Sequence, residues 1–270
     1  ASTVTVTLRD AFGNTVPGFK PVLSASGSSN TFVQPSANTG ADGVAIGSVK
    51  STKAEVKTIT ASVGTLALDM RPSVTFVAGA PSATLSTVVV SPAAGVTADG
   101  GAVSSITVTV LDAKGNPVPG AAVAISSSGT GDTISAAPAT GVDGVSVATI
   151  ASTKAEVKTL TAVATVGGVN TTISMKPTVT FVAGPPDAGR SSVAVSATSL
   201  IAGATTGSTV TVTVRDQFDN LVPGVTVTLQ ATPTDGNTLT QPAAVTTAAG
   251  VATGILKDRK STRLNSSHAT

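Results

Sequence analysis

The chain has no cysteine, no tryptophan and no tyrosine, and a single histidine in 270 residues. Without cysteine there are no disulfides, no thiolate nucleophiles and no sulfur-based metal sites. With His268 as the sole imidazole, acid–base chemistry would rest on carboxylates and lysines alone. Charge is scarce as well: Asp, Glu, Lys and Arg make up 11% of the chain, against about 25% in an ordinary globular protein. Aromatic residues amount to 2%, all of them Phe, so a core has to be assembled from Val, Ile, Leu and Ala. No run of about 18 apolar residues occurs, which leaves no candidate for a membrane-spanning helix. No apolar pattern of helical period persists for ten residues either. The chain opens without an initiator Met, inside a strand-like stretch, "STVTVTLRD".

What remains is Val, Thr, Ala, Ser and Gly in alternating order, and it repeats. "VTVTLRDAFGNTVPG" at 4–18 returns as "ITVTVLDAKGNPVPG" at 106–120 and "VTVTVRDQFDNLVPG" at 210–224. Asp10, Asp112 and Asp216 are thus 102 and 104 residues apart. "STKAEVKT" at 51–58 recurs letter for letter at 152–159, and "VTFVAG" at 74–79 recurs at 179–184. A period just over 100 residues is too long for a solenoid unit and suits an independently folding β-sandwich.

Within one unit, Val4, Val6 and Leu8 alternate with Thr, as do Ile106, Val108, Val110 and Val210, Val212, Val214. Period two means one buried and one wet face. A turn signal follows each time. Asp10, Asp112 and Asp216 can accept backbone N–H bonds there, and Asn14, Asn116 and Asn220 can take up positive φ. Pro17-Gly18, Pro119-Gly120 and Pro223-Gly224 complete the turn. A second alternating strand comes next, clearest at Val225, Val227 and Leu229.

The ordered set "DxxGNxVPG", "TGxDGVA", "STKAEVKTxTA" and "VTFVAG" resembles the bacterial immunoglobulin-like domain of group 1, the Big-1 repeat of invasin- and intimin-like surface proteins. The resemblance spans the chain to about residue 257. It implies an all-β protein of tandem immunoglobulin-like β-sandwich domains, beads on a string. Aligned, the beads are 1–79, lacking its first strand; 80–184, complete; and 185–257, lacking its last strands. The third departs from the pattern at Asp219, which replaces the turn glycine, and at "TAAGVATG", which lacks the acid found at Asp42 and Asp143.

The tail 258–270, "DRKSTRLNSSHAT", breaks the repeat where "STKAEVKT" is due. Asp258 to His268 is the translation of a nucleotide string that resembles a common sequencing adapter, so 258–270 is expected to be non-native. Setting aside Asp258, Arg259, Lys260 and Arg263 leaves 13 basic and 13 acidic residues. The formal charge of +2 then gives no support for nucleic-acid or anionic-membrane partners.

No catalytic constellation and no cofactor site is expected. The recurring acids read as turn caps; Asp10, Asp112, Asp187 and Asp216 are the calcium candidates, though calcium needs 6–8 oxygen ligands with several carboxylates converging. "STKAEVKT" reads as an exposed strand edge or loop whose charges discourage edge-to-edge pairing. Phe76 and Phe181 are expected in cores, and Phe12 and Phe218 in exposed turns against a neighbouring bead. The family resemblance implies the stalk of an extracellular, cell-surface adhesin. Its partners would be neighbouring repeats in the same chain and a host or cell-surface ligand held by a tip outside it. Two other readings stand beside it: a binding module that contacts polysaccharide or host protein, and an accessory region of a large secreted enzyme.

Overall fold

Three β units follow one another along the chain, each containing a strand that the Thr/Val alternation marks. The computed structural model describes residues 1–201, 205–232 and 236–258; regular structure there is entirely β. Of the expected tail 258–270, residues 259–270 lie outside the described residues. Asp258 does not, and ends a strand.

Bead 1 contains β1 (Ser2–Thr7), β2 (Val22–Ala25), β3 (Asn30–Val33), β4 (Val44–Ser51), β5 (Val56–Val63), β6 (Leu66–Ala67) and β7 (Ser73–Thr75). One sheet runs β1-β4-β3, the other β2-β5-β6 with β7 also on β5. Bead 2 contains β8 (Thr87–Ser91), β9 (Val96–Thr97), β10 (Val103–Thr109), β11 (Ala122–Ser127), β12 (Asp132–Ile134), β13 (Val145–Ser152), β14 (Val157–Val166), β15 (Val169–Thr172) and β16 (Thr178–Val182). Its sheets run β12-β13-β10-β8 and β11-β14-β16-β9, with β15 on β14. Bead 3 contains β17 (Ser192–Val195), β18 (Ser208–Thr213), β19 (Asn237–Thr240) and β20 (Val251–Asp258) in one sheet, β17-β18-β20-β19.

The cores follow from the alternation. In bead 2, Ile106 and Val108 on one sheet, with Val110 just past the end of β10, pack with Leu160, Ala162, Ala164 and Phe181 on the other. Full burial of each large apolar side chain stabilises by about 1.5–3 kcal/mol, and this cluster is the largest of the three. Bead 1 has a smaller core on Val6, Leu8 and Leu23. Its β1 pairs only with β4, whereas β10 of bead 2 is flanked by β13 and β8. Where β8 covers bead 2, bead 1 has a groove lined by Val4, Val6, Ile59, Ala61, Leu68 and Met70.

The strand expected at Val225, Val227 and Leu229 is not formed. Its counterparts β2 and β11 are held by β5 and β14, and no strand of that kind occurs among the described residues of bead 3. The backbone there is secured locally instead: Leu229 N–H donates to Gln241 Oε1 at 2.7 Å, and Gln241 Nε2 donates back to Leu229 O at 2.8 Å. Gln34 holds Leu23 in the same way in bead 1. Val193, Val195 and Ile201 of bead 3 are exposed.

Candidate functional site

The recurring Asp-x-x-Gly/Asp-Asn turn has the same internal geometry three times. In bead 1, Asp10 Oδ1 accepts the N–H groups of Phe12 and Asn14, each at 2.9 Å, and Oδ2 accepts Asn14 Nδ2 at 2.9 Å. Asp112 receives Lys114 N, Asn116 N and Asn116 Nδ2; Asp216 receives Phe218 N, Asn220 N and Asn220 Nδ2. The left-handed residue is not the asparagine, as the sequence suggested, but the one before it: Gly13 at φ 85°, Gly115 at 79° and Asp219 at 66°. That frees the asparagine side chain for other work. The Pro-Gly steps are pinned beside the turn, where Gly18, Gly120 and Gly224 donate to the carbonyls of Thr39, Thr140 and Thr246.

In beads 2 and 3 this turn is the joint with the preceding bead. Asn116 Oδ1 accepts Ala54 N–H at 2.9 Å, and its Nδ2 donates to Thr52 O at 3.0 Å. Gly79 N–H, at the exit of bead 1, donates to Asp112 Oδ2 at 2.8 Å. The second joint repeats the first: Ala155 N–H to Asn220 Oδ1 at 2.9 Å, Asn220 Nδ2 to Thr153 O at 3.0 Å, and Gly184 N–H to Asp216 Oδ2 at 2.9 Å. The asparagine amide acts as one more peptide group, pairing with an N–H and a C=O two residues apart on the neighbour. The loop it grips is the "STKA" half of the repeated motif.

Docking changes the electrostatics of the turn. Asp112 is 4% exposed and Asp216 1%. Burial alone would push the Asp112 carboxyl up. Hydrogen bonds from the Asn116 side chain and from the N–H groups of Gly79, Asn116 and Lys114 outweigh it and hold the group at about 2. Asp216 is lowered by the same balance, with Gly184 and Phe218 among its donors. The turn of bead 1 is exposed, and there the Asn14 side chain is the main cause that lowers Asp10.

The "EVKT" half of the motif is not the exposed edge that the sequence reading expected. Lys57 and Lys158 are fully buried. Lys158 Nζ contacts Glu156 Oε1 and Asp132 Oδ1, both at 2.7 Å, and donates to Thr130 O at 2.8 Å. It also lies 6.0 Å from the centre of the Phe181 ring. Lys57 is held by Glu55 and Ser28 O. Lys158 hydrogen-bonding is the chief reason that Glu156 lies below the usual carboxylate range, and Lys57 does the same for Glu55. Gly129 makes room for this ammonium: a Cβ there would stand 2.4 Å from Lys158 Nζ. The signal was present in the sequence, because Lys158 is in phase with the inward residues Leu160, Ala162 and Ala164 of β14.

The calcium candidates are not brought together. Asp112 and Asp216 belong to different joints, and Asp187 receives the N–H groups of Gly189 and Arg190. Among the described residues no group of three His, Cys, Asp or Glu could hold a metal ion. Phe181 is in the bead 2 core, whereas Phe76 is only half-buried. Phe12 is 90% exposed and Phe218 36%; the three hydrogen bonds described above across the second joint are made by Asp216 and Asn220.

Comparison with known proteins agrees with this architecture. The chain aligns over 96% of its length with the Escherichia coli adhesin FdeC, at 24% identity, a TM-score of 0.61 and 84% coverage of that chain. InvD of Yersinia pseudotuberculosis is similar over 96% of this chain and 75% of its own, with 20% identity and a TM-score of 0.62. Invasin, a bacterial integrin-binding protein, matches at 27% identity and a TM-score of 0.54, again over 96% of this chain; the match takes in 51% of invasin's chain. The model of the bacterial Ig-like domain (group 1) matches residues 1–77, 85–182 and 190–268, so the third span takes in the break at 258. With nearly all of its length in three such matches, the chain belongs to the bacterial Ig-like domain family, group 1.

Proposed function

We propose that this chain is a non-catalytic stalk segment of a bacterial surface adhesin, a spacer that holds a binding tip away from the cell. The observation that carries the reading is the joint. Two successive junctions use the same three hydrogen bonds, with matching lengths, between an Asp/Asn turn and the "STKA" loop and strand exit of the bead before it. A chain of loosely tethered binding modules has no need for a fixed joint, whereas a spacer does. Pro81, Pro185 and Pro186 in the connections restrict the backbone further. Beads of this kind add roughly 30–40 Å each. The kinship with adhesins supports a location outside the cell. On this reading the partners of each bead are its neighbours in the chain, and ligand recognition belongs to a tip elsewhere in the protein.

Small-angle scattering of the chain and of Asn116→Ala/Asn220→Ala tests the reading. The unaltered chain is expected to give the maximum dimension of beads in line. The double variant is expected to be more compact on average and broader in its distribution. A parent chain as flexible as the variant would show that the joints do not hold the beads, and the spacer reading would fall.

A further inference from the structure

Bead 2 holds an amine and a carboxyl group in contact inside the sandwich. Lys158 Nζ is 2.7 Å from Asp132 Oδ1, with the lysine side chain 0% exposed and the aspartate 9%. Apart from that contact, neither buried oxygen of Asp132 meets a hydrogen-bond donor. A carboxylate shielded from water and without N–H donors is costly as an anion. Condensation of such a pair draws on its free amine and carboxylic acid forms, which are one proton transfer away from the ion pair. A second carboxylate, Glu156, is 2.7 Å from the same Nζ. Each Asp132 oxygen is one covalent bond from Cγ, so the amine stands close to the about 3–3.5 Å of a near-attack contact.

We propose that Lys158 and Asp132 join in an amide cross-link, formed within the folded bead. The Nζ lone pair attacks Asp132 Cγ; a C–N bond forms and one C–O bond breaks. Glu156 takes a proton from the amine and returns it to the departing oxygen, which leaves as water. No electrons are transferred and no co-reactant is consumed.

Two further observations point the same way. The position of Asp132 opposes Ser152, the last residue of β13; Asn30 opposes Ser51, the last of β4, and Asn237 opposes Asp258, the last of β20. All three beads thus place Asn or Asp there, the two side chains whose carbonyl carbon sits one methylene from the backbone. In bead 1 the Asn30 Oδ1 is likewise buried without a donor, and the same bead has a buried Lys57 with its own glutamate. The bond in bead 2 would also span the sandwich, since β12 and β14 belong to opposite sheets. It would do for a cysteine-free chain what an inter-sheet disulfide does in other immunoglobulin-like domains. The inference stands whether or not the chain is a stalk.

Intact mass spectrometry of the full chain in denaturant, followed by tryptic mapping, decides the matter. The expected result is loss of one water, assigned to a branched peptide that joins Lys158 to Asp132, with no tryptic cleavage after Lys158. Glu156→Gln should fold and retain the water, and Asp132→Ala should give the unbranched peptide. The bond should survive hydroxylamine. A Lys158 peptide cleaved normally and carrying an unmodified Asp132 partner overturns the proposal. So does a water loss that maps to Asp143-Gly144 and yields to hydroxylamine, because that is a succinimide.

Discussion

The residue ahead of each turn asparagine is glycine in beads 1 and 2 and aspartate in bead 3, all in the left-handed region. That conformation costs an ordinary L residue about 1–2 kcal/mol. Nothing lies within 4 Å of a Cβ built on Gly115, so alanine there probes the backbone alone. Gly115→Ala is expected to lower stability by about 1 kcal/mol in urea unfolding. Asp219→Gly should move bead 3 the other way by about 0.5 kcal/mol, because relief of the strained φ is partly offset by glycine's entropy in the unfolded chain. Its pair with Arg190, at 3.1 Å between two exposed side chains, contributes little by comparison. An unchanged Gly115→Ala midpoint would mean that the turn shifts to another type at no cost.

Strands show how far the alternation could be followed and where it was misread. Val6, Ile106, Val108, Val110 and Val212 face inward as their period requires. The same period places Lys158 inward on β14, but lysine is almost never fully buried unless paired, and its partner Asp132 comes from a strand 26 residues upstream in the opposite sheet. Chemistry argued for the surface and phase argued for the core; the pairing that settles it is not visible along one strand. Breaking such a pair from one side leaves an uncompensated buried charge, at a cost of about 3–5 kcal/mol. Lys158→Met should therefore unfold at markedly lower denaturant, while Lys154→Met, from the exposed part of the same motif, should leave the midpoint in place. The stretch 225–229 fails for a different reason. Its alternation is correct, but a strand needs a neighbour, and the ladder that β14 supplies to β11 has no counterpart among the described residues of bead 3. Amide exchange at 225–229 is expected to be much faster than at Ala122–Ser127; equal protection would require a pairing partner.

At the scale of the whole molecule the joints decide what the chain can do, and they were the least legible feature. The turn residues were identifiable, but Asn116 and Ala54 are 62 residues apart and Asn220 and Ala155 are 65 apart, on different beads. Nothing in a turn motif says whether its amide faces solvent or a neighbour. Once docked, the joint becomes acid-sensitive in a defined direction. Asp112 titrates at about 2 in place against 3.8 as an ordinary aspartate. A carboxyl group lowered on docking contributes stability that is fully present above the ordinary value and is lost as pH falls through the depressed one. For Asp112 the docking part of this lowering comes from the Gly79 N–H, since the Asn116 and Lys114 donors lie within its own turn; Asp216, with Gly184 N–H across the second joint, acts in the same sense. Between pH 4 and pH 2 the beads should therefore lose their fixed alignment, seen in scattering as a shorter, broader distribution of dimensions. Asp112→Asn presents an amide to Gly79 N–H in place of a carboxylate, and this variant should be loose at the first joint already at neutral pH. If the parent chain keeps its full length down to pH 2, the carboxylate bonds do not hold the joint, and the asparagine amides alone must.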